Sequence, residues 1–116
     1  MAYLRKEKET VEIDYPLDKV WSAVPKVLAN LKWTIKVIND KAKHVEVKTQ
    51  GSFMSYPSVL IIDGFVVNEN ISRVKVIAET PVTTITSIVD FGRTRYRIKL
   101  FFEALAKQLA DKKNIK

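Results

Sequence analysis

A chain of 116 residues, 47% hydrophobic and 28% charged, has the composition of one globular domain and no length for a second. The absence of cysteine excludes disulfides, thiolate metal sites, iron–sulfur clusters and thiol nucleophiles, and the single histidine, His44, excludes any centre that needs two. The net charge is +7, and most of it lies beyond Phe91, where eight basic residues face only Glu103 and Asp111.

The elements follow in chain order. Residues 3 to 14 alternate apolar and polar side chains around Val11 and Ile13, which predicts an opening strand. Pro16 then suits a first helical position, where its missing N–H costs nothing. Val20, Trp21, Val24, Val27, Leu28 and Leu31 recur at helical spacing behind it. Pro25 interrupts that stripe without shifting its phase, so a kinked helix or two short ones is expected. Trp33, Ile35 and Val37, then Val45, Val47 and Thr49, read as a half-buried antiparallel hairpin around the polar turn Asn39 to Ala42. Gln50 to Pro57 reads as a loop or irregular strand end. Ser58 to Val67 and Ser72 to Glu79 read as strands, joined at Asn68 to Ile71 in preference to a tight turn at Asp63 and Gly64, which leaves Gly64 as a bulge or a point of curvature. Thr83 to Val89 reads as a last strand. After Gly92 the period changes, and Ile98, Phe101, Phe102, Leu105 and Leu109 form the apolar face of the longest helix.

This order is α+β: a curved antiparallel sheet of about six strands, a kinked helix after the first strand, and a long C-terminal helix packed across the sheet. Three stretches carry a resemblance: Val11-Glu-Ile-Asp-Tyr-Pro-Leu-Asp-Lys-Val-Trp, Ser72-Arg-Val-Lys-Val, and Phe91-Gly-Arg leading into Arg97-Ile-Lys-Leu-Phe-Phe-Glu-Ala-Leu. Together they resemble the START-like superfamily that includes the Bet v 1 plant proteins and polyketide cyclases, whose arrangement is called the helix-grip fold. The chain departs from that pattern in being shorter, with fewer strands than the usual seven, and Gln50-Gly51-Ser52 is not the glycine-rich loop of the plant branch. The resemblance implies a pocket between the C-terminal helix and the concave face of the sheet, suited to apolar or lipid-like molecules. It implies no common reaction.

Candidate ligand-binding residues are Trp21, Trp33, Phe53, Met54, Tyr56, Phe65, Phe101 and Phe102, the aromatic and sulfur-bearing material from which such pockets are lined. Apolar periodicity alone does not separate a lined cavity from a filled core. Phe53, Met54 and Tyr56 sit in an irregular segment and are the candidates for a rim. Arg93, Tyr96, Arg97 and Leu100 share a helix face opposite the apolar stripe and offer a contact for an anion, a protein partner or a second copy of the chain. The alternative function is accordingly a basic interaction module that binds nucleic acid or protein through the Arg93 to Lys99 face. Asp63 reads as a carboxylate turned to solvent at a bend, Asp90 as a helix cap, and His44 as an exposed strand residue. No catalytic residue, metal ligand set or cofactor motif stands out, so the leading expectation is a binding protein without cofactor, an enzyme being the minority reading. No apolar run approaches the ~20 residues of a membrane helix, and the charged Met1 to Lys8 is unlike a signal peptide. The expectation is one cytoplasmic domain over residues 1–116.

Overall fold

The computed structural model describes residues 3–50, 57–82 and 93–114. Strand β1 (Tyr3–Ile13) leads into helix α1 (Leu17–Leu31), followed by β2 (Thr34–Asn39), β3 (His44–Lys48), β4 (Val59–Asn68), β5 (Ile71–Val82) and helix α2 (Arg93–Asn114). The strands form one antiparallel sheet in the order β1-β5-β4-β3-β2. Five strands are present among the described residues where about six were expected, and the sixth, expected over 83–89, lies outside them.

Both helices cover the same face of this sheet. Directly paired residues share a face, so Val45, Leu60, Ile62, Val74, Val76 and Ala78 all point toward the helices, and each is at most 1% exposed. Onto them α1 sets Val20, Trp21, Val24, Val27 and Leu28, and α2 sets Ile98, Phe101, Leu105 and Leu109. The helical spacing of those side chains in the sequence is thus the spacing of the core.

Several local expectations change. Pro16 is one residue outside the helix, as its N-cap, where its carbonyl accepts the N–H groups of Lys19 and Val20. Helix α1 runs unbroken through Pro25, not as two short helices. Pro25 faces solvent while Val20, Trp21, Val24, Val27 and Leu28 on either side of it are buried, and their shared packing offsets the roughly 3 kcal/mol that an interior proline costs. The helix ends at Lys32, whose left-handed backbone (φ 61°) lets Trp33 N–H reach the Leu28 carbonyl at 3.1 Å.

Strand β2 is exposed throughout, not half-buried. A bulge at Lys36 pairs Ile35 with Val47, Val37 with Glu46, and Ile38 with Val45. Ile35 and Ile38 therefore share the helix-facing side, and Val37 is thrown to the other. The helices do not extend over this edge, which leaves Ile35 and Ile38 39% and 44% exposed.

Strand β4 is long and turns at Glu69 and Asn70, as expected. Gly64 is not its bulge; the register shift lies between Val66 and Asn68. A β-carbon at Gly64 would lie 2.8 Å from Leu17 Cδ1 and 3.6 Å from Trp21 Cε3, so the missing side chain is what lets the start of α1 rest on the strand. Pro81 is accommodated because β5 has by then outrun β4, whose first partner is Glu79, and only β1 flanks it.

A buried hydroxyl chain seats the start of α2. Thr80 Oγ1 of β5 hydrogen-bonds Ser58 Oγ just before β4 at 2.5 Å and Thr94 Oγ1 of α2 at 2.9 Å. The Arg97 guanidinium donates to the same Ser58 oxygen, and Thr49 closes the far side by accepting the Ser58 N–H at 2.9 Å. Thr49, Ser58, Thr80 and Thr94 are all buried, so each must find its partner within the protein.

Two substitutions probe these contacts by chemical denaturation. Gly64→Val adds a residue favoured in strands, yet it should lower stability by about 1–3 kcal/mol because its methyls overlap Leu17. Thr80→Val keeps the shape but removes the hydroxyl that links Ser58 to Thr94, and a loss of about 1 kcal/mol is expected.

Candidate functional site

Two neighbouring recesses lie on the β1 side of α2, and a third, of about 470 Å³, lies between Asn30 of α1 and Ala104, Lys107 and Gln108 of α2. Beneath the helix axis, Ile98, Phe101 and Leu105 join Val76 and Ala78 of β5 in the buried core, all at most 1% exposed. Phe102 follows Phe101 by 100° of helical rotation, so it turns away from that contact toward the edge of the sheet. Ala106 and Ala110 continue the same side with little bulk. The result is a groove between β1 and α2 made of two recesses, of about 640 Å³ and 290 Å³, which share Phe102 and Ala106. Phe102 is braced by the Phe101 ring, edge to face, with centroids 5.5 Å apart.

Along β1 the helix-facing positions change character. Glu7, Glu9, Val11 and Ile13 pair with Ala78, Val76, Val74 and Ser72, whose side chains are buried beneath the helices. Two carboxylates thus precede two apolar groups on one side of one strand. The larger recess is bordered by Glu7, Glu9, Arg95, Lys99 and Glu103, and the smaller by Val11, Ile13, Tyr15, Leu105 and Leu109. Glu7 Oε1 accepts two hydrogen bonds from Arg95, from Nε at 3.2 Å and Nη2 at 2.9 Å. Lys99 lies 3.8 Å from Glu103 one turn on along the helix. A molecule lying in the groove would meet a charged end and an apolar end.

The aromatic candidates are dispersed. Phe102 lies in the groove, and Phe101 is in the core. Trp21 is also in the core, where its indole N–H donates to Asp40 Oδ1 at 3.0 Å and ties α1 to the β2–β3 turn. Trp33 packs half-buried against the core. Phe65 is 45% exposed on the convex face, the side of the sheet away from the helices, with the Lys75 ammonium 5.7 Å above its ring. Phe53, Met54 and Tyr56 lie outside the described residues, as does Asp90.

The basic face is not an open row of cations. Arg97 turns inward to Ser58 and Arg95 is held by Glu7, while Tyr96 is exposed and Leu100 half-buried. The Arg93 side chain lies outside the described residues. Helical spacing placed Arg97 opposite the apolar stripe, but a long guanidinium stem can bend back over the end of a sheet.

Asp63 is not at a solvent-facing bend. It sits within β4, directly opposite His44 on the convex face. His44 Nδ1 lies 2.6 Å from Asp63 Oδ1, and Nε2 lies 2.9 Å from Glu46 Oε2. Two carboxylates favour the imidazolium, which donates from both nitrogens. The bond to Glu46 and then that to Asp63 hold the His44 pKa above its ordinary 6.5, against a smaller opposing effect of desolvation. No group of three or more His, Asp or Glu side chains able to hold a metal ion occurs among the described residues.

The groove residues Glu7, Glu9, Val11, Ile13 and Tyr15 were absent from the sequence-based candidates. Their one signal was the change from charged to apolar along alternate positions of β1, which gains meaning only when α2 is known to lie beside it.

Comparison with solved structures matches this architecture. A norcoclaurine synthase of Thalictrum flavum superposes with a TM-score of 0.71 at 11% identity, over 98% of this chain and 99% of that one. The structure of Ara h 8.0201 gives 0.64 at 9% identity, over 93% and 99%. The di-domain ARO/CYC BexL from the BE-7585A biosynthetic pathway gives 0.66 at 14% identity, over 95% of this chain and 48% of BexL. The chain therefore has the helix-grip fold of Bet v 1-like proteins and polyketide cyclases. No family model matches the sequence, and no curated protein matches it. Among the described residues no helix is long and apolar enough to cross a membrane.

The His44 arrangement predicts a pH dependence of stability. Because the folded pKa is raised, the stabilisation is fully present below the unfolded value near 6.5 and is lost as pH rises through the folded value. Thermal melts of the wild type from about pH 6 to about pH 9 should fall more steeply than those of His44→Gln. Parallel curves would assign no such role to His44.

Proposed function

We propose that this protein binds an amphipathic small molecule in the groove between β1 and α2. The observation that carries the reading is the lining, which passes from Glu7, Glu9 and Arg95 to Val11 and Ile13 across two neighbouring recesses that share Phe102 and Ala106. Its two recesses have the dimensions of small-molecule sites, which run to several hundred cubic ångströms. Covering about 150 Å² of apolar ligand surface would contribute about 4 kcal/mol before the costs of immobilisation. The polar end would then fix orientation. The helix-grip fold supports the reading, since it also serves the synthase and the cyclase described above.

Binding to nucleic acid through the Arg93 to Lys99 face has less support. Arg95 and Arg97 already donate to Glu7 and Ser58, so engaging them elsewhere would first cost those hydrogen bonds.

Titration with the neutral fluorophore N-phenyl-1-naphthylamine tests the groove. Saturable binding is expected in the wild type. Ala106 is exposed and shared by both recesses, so Ala106→Trp should fill the junction, keep the circular dichroism spectrum and weaken binding at least about tenfold. Absence of saturable binding in the wild type, or equal affinity in Ala106→Trp, overturns the proposal.

A further inference from the structure

The charges of the larger recess carry information about the ligand. Four of them form two pairs, Glu7 with Arg95 and Lys99 with Glu103. Glu12, which borders the smaller recess, is also matched, by Arg73 at 2.7 Å on the convex side. Lys8 borders the larger recess, but it pairs with Ile77 in the register and leaves β1 on the convex side. Glu9 forms no hydrogen bond or ion pair among the described residues. It stands on the helix-facing side of β1, and the next residue on that side is Val11, the first apolar group of the smaller recess. A two-residue step along a strand spans about 7 Å. Glu9 is thus the unmatched charge within reach of a molecule whose body rests on Val11 and Phe102.

We infer that the ligand of this groove is an amphipathic amine, its ammonium group held by Glu9 and its apolar body lying between Val11, Ile13 and Phe102. The inference rests on the groove being the binding site. An ammonium here supplies three donors to a carboxylate that has no protein donor among the described residues, while the neighbouring pairs stay closed. An anionic head would set its charge beside Glu7, Glu9 and Glu103, which border the same recess, and would leave Glu9 without a cation. The protein's +7 net charge acts at long range, where salt screens it beyond about 8–10 Å; a contact with Glu9 lies well inside that distance.

Dodecylammonium, dodecanol and dodecanoate, each below its aggregation concentration, separate the head group from the tail when they compete with N-phenyl-1-naphthylamine. The wild type should prefer the amine to the alcohol by about tenfold, with the carboxylate weakest, and the preference should shrink as salt rises. In Glu9→Gln, amine and alcohol should compete equally. Equal competition by amine and alcohol in the wild type, a preference for the carboxylate, or an amine preference that survives Glu9→Gln overturns the assignment to Glu9. If dodecanol competes while the amine shows no advantage, the groove stands and the amine does not. If none of the three competes, both fall together.

Discussion

The contact of the apolar stripe of α2 with helix α1 and the inner face of β5 places everything else in this molecule. Ile98, Phe101 and Leu105 lie in one buried cluster with Val76 and Ala78 of β5 and Val20, Val24 and Val27 of α1, with exposures of 0–1%. Rotation about the helix axis is then no longer free, because only one stripe can be buried. With Phe101 directed into the sheet, the 100° step of the helix sends Phe102 toward β1, and the small residues Ala106 and Ala110 follow it. The groove is a geometric consequence of that seating. The Thr80 hydroxyl adds a second constraint at the helix start, joining Ser58 and Thr94 where an unpaired polar group would be costly.

Strand β1 occupies an edge of the sheet, and its charge pattern has two physical consequences. Inward-facing Glu9 has no cation among the described residues to accompany it, so burying this end of β1 under α2 would be unfavourable. Glu7 and Glu9 also make the open edge a poor template for pairing with another strand. At the other edge β2 uses different means, a bulge at Lys36 together with a strand only six residues long. There the helices stop short, and Ile35, Val37 and Ile38 remain exposed.

Much of the architecture could be read from the pattern of apolar positions. The stripe from Val20 to Leu28, the stripe from Ile98 to Leu109 and the alternation around Val45, Val74 and Val76 all fall where the core lies, because helical and extended periods are local properties of the chain. The same reasoning explains how the fold can match that of proteins at about a tenth sequence identity: what is retained is the phase of burial. The errors were of another kind. Of the two uses expected for Gly64, a bulge or a point of curvature, the register removes the bulge, and the approach of Leu17 shows a third that spacing alone does not contain. Asp63 was read as solvated because its partner, His44, lies across a strand boundary that one-dimensional spacing does not contain. For β2, alternation was correct up to Lys36, where one extra residue reversed the faces.

From the sequence alone came the identity and order of the elements among the described residues, the apolar stripes of both helices, the polar turn at Asn68 to Ile71, and the exclusion of thiol chemistry. Each follows from residue type or from contacts between near neighbours in the chain. The tertiary structure alone decided that β1 lies beside α2, so that Glu7, Glu9, Val11 and Ile13 face Arg95, Lys99 and Phe102 across some ninety residues of sequence. Such a meeting depends on strand order and helix rotation, which are settled by burial of the whole apolar surface at once and leave no mark on any single segment.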